Sequence, residues 1–378
     1  MSEVVNAGRR WWIWLALSIV LIALAIDLVH RKDPTGVDFH TYLAAARVGL
    51  QQGWSHLYDQ QLVAHEQRSL VPWDRIQPFL SPPTVAWLAV AFAWLPYPAA
   101  YTAWALLSLG ALAAALAWAG MSRGTGRWIA VAGALSPWWV THAVNVGQVV
   151  PLIAAGTVVA WRLLRDRHDV AAGLALALIL LKPNTAILVA AALLFAGRYR
   201  AFAAWAGVAA AVLLAIAVTL GAHGLAAYAS QLSGSLPSGA DNLTIHGALG
   251  VSGGTSVALR LLIVVAVMAA AYRLRGPSTL FVPIAIVGSL LSSPYLHASD
   301  LCLLAVAAWM IWEERAVAGW RVPLAAGWVL ASPFLYLSGL TPGLKRWPLL
   351  ELLLLGALVI SAWLPLTARA DLRRRAPA

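Results

Sequence analysis

Long apolar runs separated by short polar or basic stretches set the pattern of this chain from Trp11 onward. The first run, Trp11 to Val29, is long enough to cross about 30 Å of hydrocarbon as a helix. It lacks a small-residue cleavage site, so it is expected to stay as a signal anchor. Later runs predict spans near 98–119, 128–143, 149–164, 170–181, 184–197, 201–221, 256–272, 278–293, 300–314, 322–338 and 348–366. The pattern predicts an all-α polytopic membrane bundle of about twelve transmembrane helices. It forms a single integral membrane domain over residues 1–378 with no separate soluble domain. Two of the runs, 170–181 and 184–197, are short for a full crossing and read as broken or re-entrant helices of the kind that line cavities.

Composition agrees with the pattern. At 61% hydrophobic and 11% charged, the chain is too apolar for a soluble domain, where charged residues make up about a quarter. Many of its 20 tryptophans flank apolar runs, where an indole anchors at the headgroups. The lone Cys302 excludes an intrachain disulfide. The net charge of +11 resides largely in arginine clusters between runs, such as Arg123/Arg127, Arg162/Arg165 and Arg273/Arg275. Such clusters mark cytoplasmic loops and contact anionic lipid, which argues against nucleic acid as a partner.

Threading the chain through those clusters puts both termini inside and leaves two large extracytoplasmic loops, 30–97 and 222–255. Ser81 to Pro96, an apolar run framed by prolines, reads as an interfacial or re-entrant helix within the first loop. The second loop, rich in Gly, Ser and Asn, reads as a segment that orders on substrate. Eight of the nine histidines fall on the outer side, so chemistry is expected there, in a plasma membrane setting. No HExxH or CxxC spacing occurs, so no metal site is assigned, although a divalent cation held by loop carboxylates stays open. No Walker or GxGxxG motif offers a nucleotide site, and no cofactor is implied.

Asp38 heads a helical pattern, with Thr41 and Tyr42 on its face at three and four residues. Two roles are open to it: N-cap of that helix, or general base. Asp27, near the outer end of the first run, reads as structural, with Arg31 one turn on as its partner. Lys182, between two short runs, suits either a lipid phosphate or an interfacial snorkelling role. Asn145-Val-Gly147-Gln148 and Ser292 to Asp300 also interrupt apolar runs on that side, the latter with His297 three residues before Asp300. Trp54, Tyr58, Trp73 and Trp87 fit sugar stacking and interfacial anchoring equally well.

In order along about residues 10 to 310, the chain carries Val37-Asp38-Phe-His-Thr-Tyr42, Leu57-Tyr58-Asp59, Ser81-Pro82-Pro83, Trp104, Gly147-Gln148, Lys182-Pro183 and Ser293-Pro294 with His297. This set resembles the polyprenol-phosphate-mannose-dependent alpha-1,2-mannosyltransferases, glycosyltransferase family 87 of the GT-C superfamily. The resemblance implies a GT-C-like bundle with extracytoplasmic juxtamembrane helices and Asp38 as the catalytic residue. It implies inverting mannose transfer from a polyprenyl-phosphate-mannose donor to a glycolipid or glycan acceptor. Lys182 and His297 become candidates for donor phosphate binding, and His40, Tyr42, Tyr58, Gln148 and Tyr295 for substrate contact. The family often carries a bulkier histidine-containing stretch after its Ser-Pro, where this chain reads Tyr295-Leu-His297. A secondary transporter or lipid-linked sugar flippase is the alternative, for which inverted repeats and midplane polar residues are expected. A non-catalytic membrane scaffold is a further one.

Overall fold

The computed structural model describes residues 2–30, 34–71, 75–233, 243–276, 278–314, 320–333 and 346–363, with side chains from Trp11 onward. Among the described residues the chain is helical and contains no strand. Within a helix the backbone polar groups are largely satisfied by the segment itself, as a hydrocarbon surrounding requires.

Four helices are long and apolar enough to cross a membrane: the Trp11–Val29 part of α1 (Ser2–His30), α5 (Tyr97–Ala119), α11 (Tyr199–Ser233) and α13 (Gly253–Arg273). Leu21 and Ile22 on α1, Leu213, Leu214 and Val218 on α11, and Leu261, Leu262 and Val265 on α13 are all exposed. Bands of large aliphatic side chains facing outward are stable in lipid and costly in water. The remaining apolar helices are shorter, so among the described residues long single helices account for four of the dozen expected crossings.

The expected span over 128–143 is two helices, α6 (Thr125–Leu135) and α7 (Trp138–Val146), parted at Ser136-Pro137 because proline lacks the N–H that would continue the helix. The 170–181 run is α9 (Asp169–Leu176) continued as a 3₁₀ turn, and α10 (Ile187–Phe195) follows after the break at Lys182-Pro183. The stretch 222–233 continues α11 as helix past a non-helical Gly221, at φ 61 and ψ −174. The Gly, Ser and Asn run at 234–242 and Arg31 and Trp73 lie outside the described residues.

Between α1 and α5 the chain folds into α2 (Val37–Gln52), α3 (Gln60–Leu70) and α4 (Pro83–Ala89), and α3 and α4 each pack on α2. α8 (Val150–Arg165) packs against α5 and α9, and α14 (Phe281–Ser292) against α13, α10 and α15 (Cys302–Glu314). Arginines tie helix ends together at the end of the bundle away from Asp38. Arg162 donates to the Ala119 carbonyl at 3.3 Å, Arg275 to the Phe195 carbonyl at 2.8 Å, and Arg198 pairs with Asp169 at 3.2 Å. Arg162 and Arg275 thereby satisfy the last carbonyls of α5 and α10 and complement their dipoles.

Candidate functional site

The site grows from the junction of α2, α5 and α7. Gly147 ends α7 in the left-handed region, at φ 77, and its bare Cα lets Phe39 of α2 lie against it; a Cβ there would sit 2.5 Å from the Phe39 Cβ. Phe39 stacks on the buried Trp104 of α5 at 5.0 Å, and the Trp104 indole N–H donates to the Gly147 carbonyl at 2.9 Å. The Gly36 N–H and the Tyr101 hydroxyl both donate to the Asn145 carbonyl, at 2.8 and 2.9 Å. The start of α2 and the end of α7 are therefore locked together before any polar side chain is considered.

Asp38 is the second residue of α2 and does not cap it. Gly36, at φ 74, holds the N-cap position and no side chain caps the helix, so the capping role is excluded by the geometry. The Asp38 carboxylate instead accepts from Gln148 Nε2 at 2.9 Å, while Gln148 Oε1 accepts from the Tyr42 hydroxyl at 2.9 Å. One amide thus bridges an acid and a phenol that share a face of α2. Asp38 is half-buried. Burial pushes its carboxyl above the ordinary aspartate range, against the opposing pull of His297, Lys182, the Gln148 hydrogen bond and His142. Burial and the neighbouring Asp38 charge push the Tyr42 phenol well up, which keeps it a neutral donor.

Two breaks in apolar helices bring in the basic groups. Lys182, at the break before Pro183, is buried and pairs with the fully buried Asp300 at 2.5 Å. Lys182 is therefore not a snorkelling interfacial side chain. Asp300 also accepts the backbone N–H of His297 at 2.8 Å, so one carboxylate fixes both segments. Asn184 reaches Ser293 Oγ and the Tyr295 carbonyl, both at 3.4 Å, which holds the Lys182 and Ser293-Pro294 breaks side by side. Burial, followed by the Lys182 charge, pushes the His297 imidazole below its ordinary range. Tyr295 packs edge-on to His297 at 6.1 Å.

Asp38, Tyr42, Gln148, Lys182, His297 and Tyr295 are thereby gathered in one region. His40 is elsewhere: it is buried, bonds the Gln67 carbonyl at 2.7 Å and packs on Tyr97, so it anchors α2 to α3 and is not a substrate-facing group. Tyr58 is also buried, stacked on Tyr228 at 4.5 Å, with its hydroxyl donating to the Ser81 carbonyl at 2.8 Å. It supports the Ser81-Pro82-Pro83 turn from behind. Asp27 accepts from Asn145 at 2.8 Å and lies 3.5 Å from His142 Nδ1. Asn145 was already conspicuous as an interruption of an apolar run, and the clue to His142 was its place three residues before it. Among the described residues no three His, Cys, Asp or Glu side chains converge as metal ligands.

No curated protein and no solved structure matches the chain. One family model does match, glycosyltransferase family 87, over residues 79–294. The matched stretch includes Gln148, Lys182 and Pro294, and ends before His297; Asp38 precedes it. Matched to that family over more than half its length, the chain, which among the described residues is helical with four helices long and apolar enough to cross a membrane, belongs to glycosyltransferase family 87.

Proposed function

We propose that this glycosyltransferase moves mannose from polyprenyl-phosphate-mannose to a hydroxyl of a membrane glycolipid, with inversion. The observation that carries the reading is the Asp38 carboxylate, half-buried and aligned by Gln148, with the charges of Lys182 and His297 near enough to pull on it. A base and a cationic region side by side suit a reaction that removes a proton from one substrate and releases a phosphate from the other.

In the proposed step Asp38 takes the proton of the acceptor hydroxyl. The oxygen attacks the anomeric carbon of a β-linked mannosyl phosphate, the bond to the phosphate oxygen breaks, and the lipid phosphate departs with that electron pair, leaving an α-glycoside. The leaving group is already an anion, so it calls for charge stabilisation more than protonation. Lys182 spends one N–H on Asp300 and has two more for phosphate oxygens. The His297 imidazole, whose backbone N–H is held by Asp300, completes that side. Tyr42 and Tyr295 line the region as neutral groups, and the phenol of Tyr295 is pushed up by burial and by Asp300. A lipid-borne donor fits a chain without nucleotide-binding motifs.

The gathering of Arg162, Arg198 and Arg275 at the bundle end away from Asp38 supports a cytoplasmic position for that end and an extracytoplasmic one for the site. The test is donor choice. Membranes containing the protein are supplied with labelled mannose either as polyprenyl-phosphate-mannose or as a nucleotide-linked mannose, with the endogenous lipid-linked pool blocked. Label entering glycolipid only from the lipid-linked donor is expected; direct use of the nucleotide sugar would overturn the reading.

A further inference from the structure

α7 and the turn after it hold two carboxylates. His142 and Asn145, three residues apart, share a side of α7, and Gln148 follows its left-handed Gly147 end. Gln148 holds Asp38 of α2, while Asn145 and His142 both address Asp27 of α1. A buried carboxylate near the end of an apolar crossing helix is expensive unless partnered. Asn145 supplies that partnership at 2.8 Å and also bonds the Leu24 carbonyl at 3.1 Å, which ties α1 to α7 without help from the imidazole. His142 adds only a looser 3.5 Å approach to the tie.

What the imidazole gains is an orientation. With Nδ1 on the Asp27 side, Nε2 lies on the opposite edge of the ring, and the partner of one ring nitrogen decides what the other offers. The His142 side chain is 19% accessible and that of Asp27 5%, so a ligand meets the ring and not the acid behind it. α7 packs against the Ala298–Leu301 turn that follows His297, while its Gly147 end meets Phe39 beside Asp38, so the His142 ring lies on the helix that borders the region those two occupy. Lys182 brings positive charge to one part of that region, with the His297 imidazole beside it; Gln148 and His142 bring hydrogen-bonding groups from α7 and the turn after it.

We propose that His142, oriented by Asp27, is a further substrate-contacting residue that accepts a hydrogen bond at Nε2 from a hydroxyl of the acceptor sugar. The inference rests on the mannosyl-transfer reading and adds to it the α7 side of the site as the acceptor side. Asp27 acts through His142 and is a positioning residue.

The test uses the full chain in membranes, labelled polyprenyl-phosphate-mannose as donor and a titrated membrane glycolipid extract as acceptor. His142→Leu is expected to raise the acceptor KM roughly three- to tenfold, the loss of one hydrogen bond, with the donor KM and the unfolding midpoint unchanged. His142→Gln, which keeps an acceptor atom, is expected to recover part of that loss, and Asp27→Asn to give a smaller rise than His142→Leu. An unchanged acceptor KM in His142→Leu overturns the inference. So does a rise of both KM values together with a lowered midpoint, the mark of a purely structural tie. Absence of transfer by the unaltered protein would instead bring down the mannosyl-transfer reading itself, a result distinguishable from either.

Discussion

Replacing Gly147 by alanine tests the geometry on which the site depends. The added methyl meets the Phe39 Cβ at 2.5 Å, the Phe39 N at 3.2 Å and its Cα at 3.4 Å, two of them backbone atoms of α2. Phe39 has no room to retreat, since it is fully buried and stacked on Trp104, itself buried and bonded to the Gly147 carbonyl. Holding alanine in a left-handed conformation costs about 1–2 kcal/mol, and forcing a methyl into a packed contact costs about 1–3 kcal/mol. The expected total is about 2–5 kcal/mol. Gly250 supplies the control, because it closes α12 (Ile245–Leu249) at φ 66 and ψ 25, close to the φ 77 and ψ 30 of Gly147, yet a Cβ there meets nothing within 4 Å. Gly250→Ala therefore carries only the conformational part, and the two variants should differ by about 1–3 kcal/mol. Denaturant unfolding of the purified chain in mild detergent measures both. Equal destabilisation by the two alanines would refute the close approach of α2 to α7, and with it the alignment of Asp38 by Gln148.

Three further outcomes follow from the site as described. Asp300→Asn leaves Lys182 buried without its carboxylate and is expected to cost about 3–5 kcal/mol in the same unfolding assay, with most of it regained in Asp300→Asn combined with Lys182→Met; an unaffected single variant would contradict the pairing. Because burial raises the Asp38 pKa and the base must be ionised, activity should fall on acidification at a pH above the ordinary aspartate range. His297 lowers the Asp38 pKa, so His297→Gln should move that acid limb to still higher pH, and a shift toward lower pH in a pH–rate profile would show that the sign is wrong.

Much of the site was legible before any coordinates, and the reason is the membrane. In a chain of 61% hydrophobic residues each polar interruption is conspicuous, so Asp38, Gln148, Lys182 and His297 stood out against an apolar background. Partners across the fold were not legible. Helical spacing names neighbours three and four residues away, but the bonds from Asp38 to Gln148 and from Lys182 to Asp300 span 110 and 118 residues. The same limit explains His40, whose two-residue distance from Asp38 turns it onto another face of α2, toward Gln67 and Tyr97. The capping reading of Asp38 failed because Gly36, at positive φ, starts the helix two residues earlier than a capping Asp38 requires. Hydropathy likewise reported where apolar segments lie, but not that proline divides one at Ser136-Pro137 or that helix continues past Gly221 to Ser233.

The proposed role of Asp38 as the base of a lipid-linked mannosyl transfer is tested most directly by comparing the unaltered protein with Asp38→Asn, at matched expression, for transfer of labelled mannose from polyprenyl-phosphate-mannose to membrane glycolipid. Asparagine can still accept the Gln148 hydrogen bond, so the fold should survive while transfer is lost. Undiminished transfer in Asp38→Asn would contradict the account.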